Sequence, residues 1–194
     1  MGQYYFPIIL QKKNNGYSSQ CFYSHMYGNG LKLMEHSYIC NNFVETVLSQ
    51  LYKKPGHLAW VGDYHEEGDI ENEELDKAFR RHYKLYNKEG KHKPYNKPEE
   101  VSSFTNNKFI LNHTKKVYID MAKYCETAPK DDYDCQIHPI PLLTAVGNGR
   151  GGGDYWGSNK EDVGCWAGDL LEVVNKPPKD YIDVTEYIYF YEGR

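Results

Sequence analysis

The segment Gly147-Asn148-Gly149-Arg150-Gly151-Gly152-Gly153-Asp154-Tyr155-Trp156-Gly157 holds the residue types most suited to gripping an anion. Glycine gives up conformational entropy on folding, so such a run points to backbone that needs positive φ or close approach to another group. Exposed N–H groups of Gly151, Gly152 and Gly153 could cradle a phosphate or carboxylate, with Arg150 adding charge and Tyr155 or Trp156 a stacking face. Asn148 and Asp154 complete the candidate set. Neither the Walker spacing nor the dinucleotide-binding G-x-G-x-x-G spacing fits, and no helix is evident after the loop. The competing reading is a tight loop that lets Tyr155 and Trp156 pack.

Two tetrapeptides echo each other, Trp60-Val61-Gly62-Asp63 and Trp166-Ala167-Gly168-Asp169. Each sets an aspartate directly after a glycine near a strand end. Asp63 is followed by Tyr64, His65, Glu66 and Glu67, so a carboxylate and an imidazole lie close enough for acid–base or metal chemistry. A plain turn, with Asp63 capping backbone amides, explains the same residues. Glu35-His36-Ser37 brings three catalytic residue types together, but neighbours in a strand face opposite ways, so adjacency alone builds no triad. His138-Pro139-Ile140-Pro141 is a stiff stretch that positions the glycine segment after it.

Elements must hold these residues. Gln3–Leu10 and Gln20–Ser24 read as strands of a hairpin around Lys13-Asn14-Asn15-Gly16. Asn41 or Asn42 caps a helix over Phe43–Lys53, whose Phe43, Val44, Val47, Leu48 and Leu51 share a face. His57–Val61 is a short strand. Glu71–Tyr86 is a second helix, with an acidic start and a basic end that complement its dipole and with Leu75, Ala78, Phe79, His82 and Leu85 in phase. The polar stretch 87–107 reads as a surface loop. Phe109–Leu111 and Val117–Met121 form a hairpin, and Cys165–Val174 and Tyr181–Tyr191 are further strands. The expectation is one α+β domain over 1–194, a mainly antiparallel sheet with about two packed helices.

Composition narrows the class. The 194 residues carry a net charge of -4 and a mean hydropathy of -0.78, which argues against a dedicated nucleic-acid binder and against a membrane span. The opening MGQYYFPIIL lacks the basic and apolar regions of a secretory signal, and Phe6 stands where a myristoylation signal needs Ser or Thr. Five scattered cysteines without a C-x-x-C pair read as buried, reduced thiols of a cytoplasmic protein. Nineteen tyrosines fit half-buried strands, and also rigid contact surface for a partner.

The opening Met1-Gly2-Gln3-Tyr4-Tyr5, the stretch Asn29–Ser37, Ala59-Trp60-Val61-Gly62-Asp63-Tyr64, Asn148–Tyr155 and Val163–Asp169 resemble a family of uncharacterised proteins of bacteria and their phages. The resemblance spans most of the chain and brings no activity. It implies a small accessory protein, carried by a phage or mobile element. Three functions follow as expectations. The first is a binder of a small anionic or nucleotide-like ligand at the glycine-rich loop. The second is an interaction module that inhibits a host protein through a tyrosine-rich face. The third is a hydrolase using Asp63, His65 or Asp154. No cofactor is implied.

Overall fold

A computed structural model describes residues 2–88, 101, 103–131 and 133–192. Eight strands form one sheet: β1 (Tyr5–Lys13), β2 (Gly16–Cys21), β3 (Gly56–Gly62), β4 (Phe109–Asn112), β5 (Val117–Asp120), β6 (Ala145–Val146), β7 (Leu170–Val174) and β8 (Ile182–Asp183). Their order is β2-β1-β3-β7-β4-β5-β8, with β6 beside β3. Pairing is antiparallel except for β3 with β6 and β5 with β8. The expected α+β class with a mainly antiparallel sheet is therefore observed.

Both faces of the sheet are covered. Along β1, Tyr5 and Ile9 enter one apolar cluster while Ile8 and Leu10 enter another; along β3, Leu58 and Trp60 divide from Ala59 and Val61 in the same way. Alternate side chains leave a strand on opposite faces, so these two strands read as continuous apolar runs. Helix α1 (Asn42–Lys53) covers the first face. The Asn41 side chain accepts the Phe43 amide at 3.0 Å and starts that helix. Its five phased apolar residues are fully buried, each stabilising the fold by roughly 2 kcal/mol. Helix α2 (Glu73–Lys88) covers the second face through Leu75 and Phe79.

Four helices stand where about two were expected. The additional ones are α3 (Met121–Thr127), capped by Asp120, and α4 (Pro139–Leu143). Both are too short to show a helical period. In α4, His138 Nδ1 accepts the Ile140 amide at 3.2 Å and Pro139 takes the first turn, so the stiff proline stretch is a capped helix, not an extended spacer. Leu85 is 53% exposed, because Tyr83 and Tyr86 take the inward positions assigned to it. The strand expected over Cys165–Val174 begins only at Leu170, since Gly164 and Gly168 turn the chain with φ of 85° and 79°. Tyr181–Tyr191 yields two strand residues. There the Asp183 side chain bonds the Thr185 amide at 2.9 Å, and the chain turns away from the ladder. Of the polar stretch 87–107, residues 89–100 and 102 lie outside the described residues. Thr105, at its end, is buried and bonds the Glu45 carboxylate of α1 through both its amide and its hydroxyl.

The cysteines form no disulfide. Only Cys21 is buried, while Cys40, Cys135 and Cys165 are exposed, against the expectation of buried thiols.

Candidate functional site

The glycine-rich loop does hold an anion, and the anion is its own. Asp154 is 3% exposed; its Oδ2 accepts the amides of Gly149 at 2.7 Å and Gly151 at 2.8 Å, and its Oδ1 accepts the Tyr5 hydroxyl at 3.0 Å. Asn148 closes the loop by a reciprocal pair with the Tyr155 backbone, at 2.8 and 3.0 Å. Gly152 and Gly153 offer carbonyls to the Gln3 and Met34 amides. Tyr155 is buried, with its hydroxyl donating to the Ser158 carbonyl, so it presents no stacking face. Trp156 remains 60% exposed, with Lys160 Nζ 5.5 Å from its ring centroid.

The glycines serve close approach to the N-terminal strand. A Cβ on Gly151 would sit 2.8 Å from Gln3 Cβ and 2.9 Å from Gln3 N, and one on Gly153 would run into the Lys32 side chain. At Gly152 the nearest atom is Gly2 Cα at 3.6 Å, ordinary contact. Gly151→Ala should therefore cost about 2 kcal/mol, as overpacking against fixed backbone does, and Gly152→Ala well under half of that. Urea unfolding of the two variants checks the contrast; equal losses would remove the close-approach explanation.

The loop's neighbours are similarly engaged. Arg150 donates from Nη1 to the Tyr64 carbonyl at 3.0 Å and pairs with Glu66 and Asp69, each at 3.1 Å. Asp63 accepts the Tyr4 amide at 3.2 Å, and partial burial together with nearby Asp154 holds its carboxyl above the usual range. His65 is buried and donates from Nε2 to Asp76 at 2.8 Å, while Asp76 also accepts Arg80 Nε at 3.0 Å. Burial pulls the His65 pKa down, against the opposing pull of Asp76, and the contact ties the 62–70 turn to α2. Asp63 and Asp154 approach each other at the Tyr4–Tyr5 end of the sheet. Asp169 lies apart, its carbonyl bonded to Leu58 near the start of β3. The two Trp-x-Gly-Asp segments thus end one on a strand and the other in a turn, and share no common site.

Asp169 instead borders a cleft of about 660 Å³. Four separate stretches wall it: His57 from β3, residues 69–75 leading into α2, Thr114 and Lys115 from the β4–β5 turn, and residues 161–169. Asp69, Glu71, Glu161 and Asp169 contribute four carboxylates against one lysine, Lys115. Asp169 Oδ2 accepts Asn112 Nδ2 at 2.7 Å and pairs with Lys115 at 3.4 Å. His57 Nδ1 lies 2.8 Å from the Gly168 carbonyl, so that nitrogen donates its proton there. Cys165 also lines the wall. Although the residue is exposed, desolvation of its sulfur against the wall, with Asp162 adding to it, pushes its thiol up to about 11, and a protonated thiol is a poor nucleophile.

No family model, curated protein or solved structure matches this chain. The site's meaning therefore rests on its geometry. Among the described residues, no three His, Cys, Asp or Glu side chains group to hold a metal ion, and no helix is long and apolar enough to cross a membrane. The exposed tyrosines Tyr4, Tyr52 and Tyr133 lie on separate segments, while Tyr187 and Tyr189 share one. Of the side chains singled out from sequence for acid–base, anion or ligand chemistry, Asp169 alone lines the cleft. Its other walls carried one signal each, a turn or a helix start, and nothing in their spacing linked them.

Proposed function

We propose that the protein binds a small, positively charged ligand in the cleft between α2 and the 161–169 segment, as a cytoplasmic accessory protein. The observation that carries this reading is the imbalance of the walls, four carboxylates to two cations, Lys115 and the Arg150 guanidinium held on Asp69, around about 660 Å³. That volume suits a ligand of modest size. An ammonium group held about 5 Å from a carboxylate gains roughly 1–3 kcal/mol, depending on solvent screening. The carboxylates offer acceptors, which favours a ligand rich in N–H donors. The anionic ligand expected at the glycine-rich loop finds less support, because Asp154 already takes the Gly149 and Gly151 amides and three acceptors take Arg150.

Titration calorimetry with spermidine, set against inorganic phosphate and AMP, tests the reading. Spermidine should bind, more weakly as salt rises, and Glu161→Gln or Asp169→Asn should lower its affinity about tenfold, the equivalent of one lost charge contact. Binding of phosphate or AMP that depends on Arg150, with no binding of spermidine, would return the site to the glycine-rich loop.

A further inference from the structure

Asp69 belongs to two places at once. It lines the cleft, and its Oδ1 is held by Arg150 Nη2 at 3.1 Å, while its Oδ2 accepts the Glu66 amide at 2.9 Å. Arg150 reaches it from the glycine-rich loop, whose backbone is fixed by Asp154 and by the Asn148–Tyr155 pair. The guanidinium is thus an internal cation parked on a carboxylate of the cleft wall. Resting on the cation-binding reading above, we propose that Arg150 sets the selectivity of the cleft by competing with the ligand for Asp69. A ligand with a single ammonium gains little by displacing a guanidinium already held by the Tyr64 carbonyl and Glu66. A ligand with several cationic groups engages Glu71, Glu161 and Asp169 together and draws Asp69 away from Arg150. The arrangement selects for multiple charges spaced along one molecule.

The consequence is measurable by removing the competitor. Arg150→Ala should bind putrescine and spermidine about 3- to 10-fold more tightly than the unmodified protein, with the larger gain for putrescine, the ligand with fewer charges. Adding Asp69→Asn to Arg150→Ala should abolish the gain. Arg150→Lys keeps the charge, loses the forked geometry, and should fall between the two. Spermidine binding that is equal in the unmodified protein and in Arg150→Ala would overturn the competition while leaving the cleft reading intact. Binding seen only in Arg150→Ala would show the competitor fully in place. Failure of both proteins, each still folded by circular dichroism, to bind either polyamine would overturn the cleft reading and this inference with it.

Discussion

Lowering the pH from 7 to 4 is expected to remove on the order of 5 kcal/mol of stability, through two histidines that the fold keeps neutral. His36 is fully buried; its Nε2 accepts the Trp60 indole N–H at 3.0 Å, and Nδ1 faces the Gly30 carbonyl at 3.1 Å. Burial lowers its pKa to about 4, with the Gly30 bond and Glu35 opposing only in part. His138 is fully buried, caps α4 through Nδ1, and has its pKa lowered by burial to about 3. In the unfolded chain both titrate near 6.5. Between 6.5 and the folded values the unfolded chain binds more protons, so stability is complete above about 6.5 and declines as the pH falls. Glu45 and Asp63, whose carboxyls burial raises, act in the opposite direction near pH 4 and trim the loss. Urea unfolding at pH 7, 5 and 4 measures the slope, and midpoints that do not move across this range would refute the assignment. His138→Asn keeps a capping acceptor and removes one titrating ring, so it should roughly halve the slope whatever it does to stability at pH 7.

Replacing Asp154 by alanine should cost about 4 kcal/mol, because the buried Tyr5 hydroxyl and the part-buried Gly149 and Gly151 amides lose a shared carboxylate acceptor at once. Asp154→Asn should cost far less, about 1–2 kcal/mol. Its amide oxygen still accepts Gly149 and Gly151, and its NH₂ meets a Tyr5 hydroxyl that accepts as well as donates. The contrast separates shape from charge. Comparable losses in both variants would mean that the negative charge itself holds the loop, and a loss under 1 kcal/mol for alanine would remove Asp154 from its central role.

The sequence made some of this legible. α1 was readable because five apolar residues fall on one face behind an asparagine cap, and all five are buried. The β4–β5 hairpin was readable because turn residues separate its strands, and so was the β1–β2 turn, but β2 pairs from Gly16 directly after that turn rather than over the expected Gln20–Ser24. The glycine-rich segment announced close approach, but to what could not be read. Gln3 and Tyr5 lie about 150 positions away, and only the sheet brings them beside it. The cleft was hidden for the same reason. Asp69, Lys115 and Asp169 acquire a common meaning through strand order, which depends on pairings between distant segments.

That order also dictates when the molecule can come into being. Among the described residues, β7 sits between β3 and β4 and is the strand that links the β2-β1-β3 half of the sheet to the β4-β5-β8 half. It pairs Gly56 and His57 on one side and Phe109–Asn112 on the other. Until Leu170–Val174 are in place, Gly56 and His57 of β3 and the outer side of β4 lack their strand partner and present edges open to wrong neighbours. Closure waits for five residues that follow both β3 and β4 in the chain, so the joining of the two halves is governed by contacts distant in sequence.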